Sequence, residues 1–250
     1  MTERSSGRSN GGRMLVVGAS SGIGAAVATG AAAAGWQVVA SARRADRLDR
    51  LAERDAVDAI AADVCDEGSV RAMISGSVEV LGGLDAVVYT VGASPLVPIA
   101  DATQNDWRSV FDSNVIGAAL VCAAAAPHLL ATDGRFVALS SKAVRRPFPD
   151  LSLYTTSKIA LDGLLRCLPL EFPGLRVTRV LVGNTAGTEF ASSWDAQALA
   201  AAVERWASSG VLGSATTIDP EDVATTILHV LASPALVDEV SVLDHEGPQP

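Results

Sequence analysis

Short runs of apolar and β-branched residues alternate along the chain with longer alanine-rich stretches that repeat with helical periodicity. The stretches between the runs predict helices at 22–34, 46–54, 67–81, 104–130, 154–168, 196–208 and 220–232, and the last two of these lie between the sixth and seventh runs. The runs themselves predict seven strands, at 14–18, 37–41, 57–61, 84–89, 135–140, 176–182 and 239–243. Strands that alternate with helices pair in parallel through right-handed crossovers. We therefore predict an α/β fold, a doubly wound parallel sheet of about seven strands with helices on both faces.

The length and composition fit one large domain. The chain has 250 residues, of which 49% are apolar and 19% are charged, so it can bury a substantial core. Residues 1–13 are polar and glycine-rich, and we predict a flexible tail there, followed by a single domain over 14–250. The segment at about 184–213 has the least regular pattern and is predicted to form a lid over the site.

Charge and cysteine usage exclude several classes of protein. A net charge of −9 argues against a nucleic-acid partner, which requires clustered positive charge. The longest apolar run, at 115–127, is too short to span a bilayer, so no membrane partner is expected. The three cysteines are scattered and predict neither a metal site nor a disulfide framework. With no signal peptide at the start, these features predict a cytoplasmic protein.

A glycine loop follows the first predicted strand and opens directly into a helix. Glycines allow a tight turn and close approach of the backbone to a pyrophosphate, and the helix N-terminus supplies N–H donors. The alternative is a plain strand-to-helix turn, but the flanking strand and helix favour a nucleotide site. The candidate phosphate-binding residues are Gly18, Ser20, Ser21, Gly22, Ile23 and Gly24.

The end of the second strand favours NADP(H) over NAD(H). An NAD site usually carries an acid about 20 residues past the glycines, whereas this chain has Arg43 and Arg44. An arginine pair can hold a 2′-phosphate, although the two residues could also begin a solvated helix. Asp46 is a rival acid that resembles a helix cap. Asp63 and Val64, after the third strand, could contact the adenine, or Asp63 could cap a turn.

A tyrosine and a lysine are spaced one helical turn apart. The chain has two tyrosines and two lysines, and Tyr154 precedes Lys158 by four positions. A neighbouring cation lowers the pKa of a phenol, which makes it a usable proton donor and acceptor. Ser141 ends the fifth strand and Asn114 lies in an apolar helical stretch. Alone, Ser141 could be a turn residue and Asn114 a hydrogen-bonded core amide.

These residues together resemble the short-chain dehydrogenase/reductase family over about residues 14–245, a Rossmann-like fold. That family carries T-G-x-x-x-G-x-G, N-N-A-G, an Asn, a Ser and Y-x-x-x-K in this order. The chain has V-G-A-S-S-G-I-G at 17–24, Y-T-V-G at 89–92, then Asn114, Ser141 and Y-T-T-S-K at 154–158. Val17, Tyr89, Thr90 and Val91 depart from the family pattern, and we expect altered cofactor affinity from them.

The resemblance implies a role for each catalytic residue. Tyr154 is the general acid in reduction and the base in oxidation, and Lys158 lowers its pKa and binds the nicotinamide ribose. Ser141 donates a hydrogen bond to the substrate oxygen, and Asn114 holds a water that relays protons to Lys158. Gly92 lies at the cofactor.

After the sixth strand, the resemblance implies that Gly183 and either Thr185 or Thr188 approach the nicotinamide.

The resulting prediction is an NADP(H)-dependent oxidoreductase that acts on a carbonyl or secondary alcohol, assembled as a homodimer or homotetramer. The alternative is a catalytically silent dinucleotide-binding protein of the same fold, with a redox-sensing or scaffolding role. An S-adenosylmethionine methyltransferase would leave Tyr154 and Lys158 unexplained. The substrate pocket is expected at 94–96, 145–150 and 183–194, where Phe148, Phe190 and Trp194 suggest an apolar substrate part.

Overall fold

The computed structural model describes residues 11–211 and 216–244. Within them, seven parallel strands form one sheet in the order β3-β2-β1-β4-β5-β6-β7. The strands are β1 Arg13–Val17, β2 Gln37–Ala42, β3 Asp58–Ala61, β4 Ala86–Tyr89, β5 Arg135–Ser141, β6 Arg176–Val182 and β7 Glu239–Val242. The order reverses between β1 and β4, and a crevice opens at such a point beyond the carboxyl ends of the strands. The predicted doubly wound fold is confirmed.

The described residues form eight α-helices, and helices pack on both faces of the sheet. They are α1 Gly22–Ala33, α2 Ala45–Asp55, α3 Glu67–Leu81, α4 Gln104–Phe111, α5 Gly117–Ala131, α6 Ser152–Glu171, α7 Ala196–Ser208 and α8 Pro220–Ala232.

Alternate side chains of one strand enter opposite cores, because successive residues of a strand point to opposite faces. Leu15 of β1 packs with apolar residues of α3, α5 and α6, whereas Val16 packs with those of α1, α2 and α8.

The helix predicted at 104–130 is divided by a π-helical turn at Asp112–Ile116. Asn114 lies in this turn, which separates α4 from α5. The helical run Gln104–Ala131 has the length and apolar composition to cross a bilayer, although the apolar run predicted at 115–127 is too short. An 18-residue window of this run is 44% buried inside the fold, and a single helix of this kind is weak evidence for a membrane span.

The predicted tail boundary at residue 13 differs from the structure. Arg13 begins β1, and its Nε lies 2.8 Å from Oδ2 of Asp85, so this residue belongs to the sheet. Residues 1–10 of the predicted tail lie outside the described residues, as do 212 and 213 of the predicted lid. That this segment acts as a lid stays a prediction, and we keep the name for it. Its described part comprises irregular turns at 184–195, the helix α7 and its end at 209–211.

Candidate active site

A cavity of about 850 Å³ lies at the carboxyl edge of the sheet, and almost all predicted site residues line it. The exception is Asn114, which is buried behind the cavity wall. The lining includes the glycine loop 18–24 apart from Ala19, and Arg43, Arg44, Asp63, Val64, Gly92, Ser141, Tyr154, Lys158, Gly183, Thr185 and Thr188.

The glycine loop can take only glycine at two of its positions. Gly18 has a φ of +98°, in the region that L-residues avoid, and a Cβ there would lie 2.5 Å from Oγ1 of Thr90. A Cβ on Gly24 would lie 2.3 Å from the carbonyl oxygen of Gly18. Because side chains are excluded, the first turn of α1 keeps its backbone N–H groups accessible from the cavity.

A cationic pocket adjoins this loop. Nη2 of Arg44 donates hydrogen bonds to Oγ of Ser20 at 2.7 Å and to Oγ of Ser21 at 3.2 Å. Glu189 of the lid forms ion pairs with both Arg44 and Arg47. Hydrogen bonds from Arg47, then those from Arg44 and Ser21, lower the pKa of Glu189 to about 2. Side chains of the glycine loop and of the start of α2 thus form a cationic site that holds the carboxylate of Glu189.

Sequence reasoning missed Arg47 and Glu189 in this pocket. Arg47 lies three positions after Arg44, one helical turn along α2, and this spacing could have revealed it. Arg43 lines the cavity but forms no hydrogen bond or ion pair within residues 11–211 and 216–244. The carboxylate of Asp63 accepts a hydrogen bond from the Cys65 N–H at 3.0 Å, so it caps a turn at the cavity wall.

Ser141, Tyr154 and Lys158 converge at the cavity from β5 and α6. Nζ of Lys158 donates a hydrogen bond to the Leu139 carbonyl at 2.9 Å and lies 5.8 Å from the centroid of the Tyr154 ring. The Tyr154 ring packs edge-on against Phe190 of the lid, with 4.9 Å between centroids. Ser141 accepts a hydrogen bond from the Ala143 N–H at 3.1 Å, and its hydroxyl interacts with the Tyr154 phenol.

Burial is the main influence on the pKa values of both Tyr154 and Lys158. Burial raises the pKa of Tyr154 to about 12, and only the Ser141 hydroxyl lowers it. Burial also lowers the pKa of Lys158 to about 8, against a smaller opposing effect of Asp162. The Lys158 ammonium is directed at the Leu139 carbonyl, and the lowering of the Tyr154 pKa by Lys158 stays a prediction.

Asn114 joins three parts of the site. Its Oδ1 accepts from the Ala93 N–H at 2.7 Å, and its Nδ2 donates to the Ala93 carbonyl and to Oγ of Ser157, both at 2.9 Å. Both amide protons are therefore used, as expected of a hydrogen-bonded core amide. The side chain fixes the loop after β4 against α6, and thereby the wall beside Lys158.

Comparison with known proteins decides the family. The family model of the short chain dehydrogenases matches residues 13–199. The chain belongs to the short-chain dehydrogenase family. Family membership makes it an oxidoreductase that acts on CH–OH or C=O groups.

Two curated relatives are similar over nearly the whole chain. Glycine betaine reductase ATRR of Emericella nidulans is 36% identical over 244 residues, which cover 94% of this chain but only 19% of that protein. Sulfoacetaldehyde reductase 2 of Chromohalobacter salexigens is 33% identical, with 90% of each chain covered.

Solved structures of this family have the same fold. A short-chain dehydrogenase of Burkholderia cenocepacia in complex with NADP superposes with a TM-score of 0.79 at 30% identity, covering 95% of this chain and 98% of that one. A short-chain type dehydrogenase/reductase of Mycobacterium marinum gives a TM-score of 0.81 at 28% identity, covering 94% of each.

Two residues that depart from the family motif in this short-chain dehydrogenase, Tyr89 and Thr90, form hydrogen bonds through their side chains. Tyr89 is fully buried, and its hydroxyl donates to the Ser113 carbonyl inside the π-helical turn at 2.6 Å. Oγ1 of Thr90 donates to the Val17 carbonyl at 2.9 Å, across the β1–β4 pair. The departures therefore brace the π-helical turn and the strand before the glycine loop.

Lys142 and Asp244 form a further pair in this short-chain dehydrogenase that sequence reasoning missed. Nζ of Lys142, directly after Ser141, lies 2.8 Å from both carboxylate oxygens of Asp244. A Cβ on Gly183 would lie 2.3 Å from Oδ1 of Asp244, so the pair requires glycine at position 183.

Both predicted threonines line the cavity. Oγ1 of Thr185 donates to the Gly183 carbonyl, whereas Thr188 packs over Gly22 of the glycine loop. Within the described residues, no group of three or more His, Cys, Asp or Glu is placed to hold a metal ion.

Proposed function

We propose that the protein is an NADP(H)-dependent carbonyl reductase and alcohol dehydrogenase with Tyr154 as its general acid and base. One observation carries this proposal: Tyr154, Ser141 and Lys158 line the same cavity as the glycine loop and Arg44 of the cationic pocket. This arrangement brings a proton donor and a dinucleotide-binding surface together in one space. A relative of 30% identity is described in complex with NADP, which supports the cofactor class.

The residues present fit a phosphorylated dinucleotide. The loop at Gly18 and Gly24 has no room for side chains, which suits close approach of a pyrophosphate. Arg44, Ser20 and Ser21 supply donors for a 2′-phosphate, and Arg47 adds a second cation. A carboxylate already occupies the same donors, which supports the choice of an anionic group there. When bound, the cofactor supplies or accepts the hydride.

Tyr154 and Ser141 act on the substrate oxygen. A phenol whose pKa burial raises to about 12 holds its proton at neutral pH, so Tyr154 can donate it as the carbonyl oxygen becomes negative. Ser141 can donate a hydrogen bond to the same oxygen. An ammonium that turned from Leu139 towards the phenol would lower the pKa of Tyr154 and assist the transfer.

The test is NADPH and NADH oxidation across a panel of aldehydes and ketones, with Tyr154→Phe as the matched variant. We expect NADPH consumption that falls about 10²- to 10⁴-fold in Tyr154→Phe while dinucleotide binding persists. Tight dinucleotide binding without consumption by the wild type across the whole panel would instead support the silent alternative. Absence of dinucleotide binding contradicts both.

A closed homo-oligomer is also proposed. Ile116 and Ile159 are 47% and 50% exposed, at the start of α5 and in α6. Exposed apolar side chains on these two helices support packing against a second copy of the chain. Light scattering coupled to gel filtration tests this directly, and Ile159→Glu is expected to yield monomers.

A further inference from the structure

Aromatic side chains are scarce in this chain and concentrated at one end of the cavity. The chain has four Trp, two Tyr and five Phe, which together make up 4% of its residues. Five of these eleven rings line the cavity. We call this group the aromatic box; its members are Phe148, Tyr154, Phe190, Trp194 and Trp206.

The rings of the aromatic box meet almost at right angles. Along the series Tyr154–Phe190–Trp194–Trp206 the centroids are 4.9, 5.2 and 6.2 Å apart, with interplanar angles of 72°, 67° and 71°. The Phe148 ring adds a contact to Trp206 at 5.7 Å and 81°. In each contact the edge of one ring meets the face of its neighbour, so the box presents to the cavity those ring surfaces that these contacts leave uncovered.

Two hydrogen bonds hold the indoles in place. Nε1 of Trp194 donates to the Ser94 carbonyl at 2.5 Å, and Nε1 of Trp206 donates to the Pro149 carbonyl at 2.8 Å. Both indole N–H groups are thereby used, so neither is left to bind a substrate. The aromatic box therefore offers ring surfaces but no indole N–H donor.

Such a surface suits a cation without N–H groups. The π quadrupole attracts positive charge, and quaternary ammonium groups are the usual ligands of aromatic cages. Two ammonium groups approach the box. That of Lys158 lies 5.8 Å from the Tyr154 centroid and is directed at the Leu139 carbonyl, and that of Lys142, which pairs with Asp244, lies 5.9 Å from the Phe148 centroid. The chain also carries a net charge of −9, which favours a cationic ligand in general.

The aromatic box shares Tyr154 with the catalytic group, and this limits the length of the substrate. Because the proton donor is one wall of the box, the reacting oxygen must lie within a few bonds of the group held there. The relative of 36% identity is named for glycine betaine, a small molecule with a trimethylammonium head.

We propose that the aromatic box binds the trimethylammonium head of a short aldehyde, with betaine aldehyde as the simplest member of the class. This inference rests on the proposed reductase function and assigns its substrate class. The aldehyde carbon accepts a hydride from a dihydronicotinamide, which is oxidised, and the carbonyl π bond breaks. The oxygen takes the proton of Tyr154, solvent reprotonates the phenolate, and the product is choline.

Three substituted acetaldehydes test the proposal because they differ mainly in charge. Betaine aldehyde is cationic, 3,3-dimethylbutanal is its neutral isostere, and sulfoacetaldehyde is anionic. We expect kcat/KM with NADPH to be at least about tenfold higher for betaine aldehyde than for the neutral isostere. A neutral or anionic aldehyde that matches or exceeds betaine aldehyde overturns the proposal.

Variants of the aromatic box test whether its rings cause the preference for the cationic aldehyde. Trp206→Leu is expected to bring the ratio of cationic to neutral kcat/KM close to one, whereas Trp206→Phe, which keeps a ring, retains most of it. Trp107 lies outside the cavity lining, and Trp107→Leu serves as the control that leaves the ratio unchanged. An unchanged ratio in Trp206→Leu contradicts the assignment of the cation to this box.

A binding measurement separates this inference from the proposed function. Quenching of tryptophan fluorescence by choline and by 3,3-dimethylbutan-1-ol needs no turnover. Tighter binding of choline supports the aromatic box even if no aldehyde consumes NADPH, a result that would count against the reductase proposal alone. Equal binding of the two alcohols overturns the assignment of the trimethylammonium head to the aromatic box, even if other carbonyls are reduced.

Discussion

Oε2 of Glu189 lies 2.5 Å from Nη1 of Arg44, beside the glycine loop. The same carboxylate accepts from Oγ of Ser21 at 3.1 Å and pairs with Arg47. If a 2′-phosphate binds to these donors, it must displace Glu189, whereas a dinucleotide without that phosphate need not. On the proposed function, Glu189 would therefore compete with NADPH and not with NADH.

We predict that Glu189→Gln raises the affinity for NADPH about three- to tenfold and leaves that for NADH nearly unchanged. The carboxylate and Arg44 are 33% and 40% exposed, and ion pairs this exposed contribute only modestly, so a larger gain is not expected. Fluorescence titration with each dinucleotide measures the effect. Glu204→Gln, on the exposed side of α7, is the control, and equal gains for both cofactors would contradict the prediction.

Substitution of the two arginines after β2 should weaken NADPH binding to different extents. We expect Arg44→Ala to weaken NADPH binding about tenfold more than NADH binding, since Arg44 binds Ser20, Ser21 and the carboxylate. Arg43→Ala, also predicted from the sequence to act on NADPH, should have the smaller effect because Arg43 is exposed. Dissociation constants for both dinucleotides check this, and a larger loss in Arg43→Ala would assign the phosphate to Arg43.

Lys158 should make stability depend on pH. Its pKa is about 8 in the fold against 10.5 as a free side chain, so between these values the unfolded chain binds more protons than the native one. The free energy of unfolding therefore rises with pH across this window, by on the order of 2 kcal/mol from pH 7.5 to 9.5. The raised pKa of Tyr154 acts in the opposite direction, but only above about pH 10.

Urea unfolding of the wild type and of Lys158→Met at pH 7.5 and 9.5 measures this effect. The wild type should gain stability relative to the variant as pH rises. A difference between the two proteins that stays constant across these pH values would show that Lys158 keeps an ordinary pKa.

Tyr89→Phe should destabilise the π-helical turn. The hydroxyl donates to the Ser113 carbonyl, and its loss leaves that acceptor without this donor at a cost of about 1–3 kcal/mol. Urea unfolding measures the change, with Ser208→Ala as an exposed hydroxyl control that should cost less than about 0.5 kcal/mol. Asn114 lies next to Ser113, so KM for the dinucleotide should rise as well. An unchanged free energy of unfolding would contradict this account.

The strands and the cavity lining could be predicted because they depend on local patterns. Apolar runs located all seven strands, and the strand ends placed Ser141 and Arg44 at one edge of the sheet. The π-helical turn was missed because it shifts hydrogen bonds without changing the apolar pattern. A polar Asn114 within an apolar stretch was its only signal.

Contacts made by the lid could not be predicted. Glu189 meets Arg47 across 142 positions, and the segment between 184 and 195 has no periodic pattern that could place it. Phe148, Phe190 and Trp194 were assigned to the pocket from the sequence, but Trp206 of α7 and the angles between the rings emerge only from packing. The direction of the Lys158 ammonium likewise depends on which acceptor the fold brings nearest.

The side chain of Thr90 restricts which residues can occupy the glycine loop, although the two lie far apart in the sequence. Its Oγ1 would lie only 2.5 Å from a Cβ on Gly18 and 2.6 Å from a Cβ on Gly24, and it also donates to the Val17 carbonyl. A directed-evolution library that diversifies the loop alone will therefore return few folded members at these two glycines. Recombination that exchanges residues 17–24 between homologues should succeed more often when position 90 travels with them.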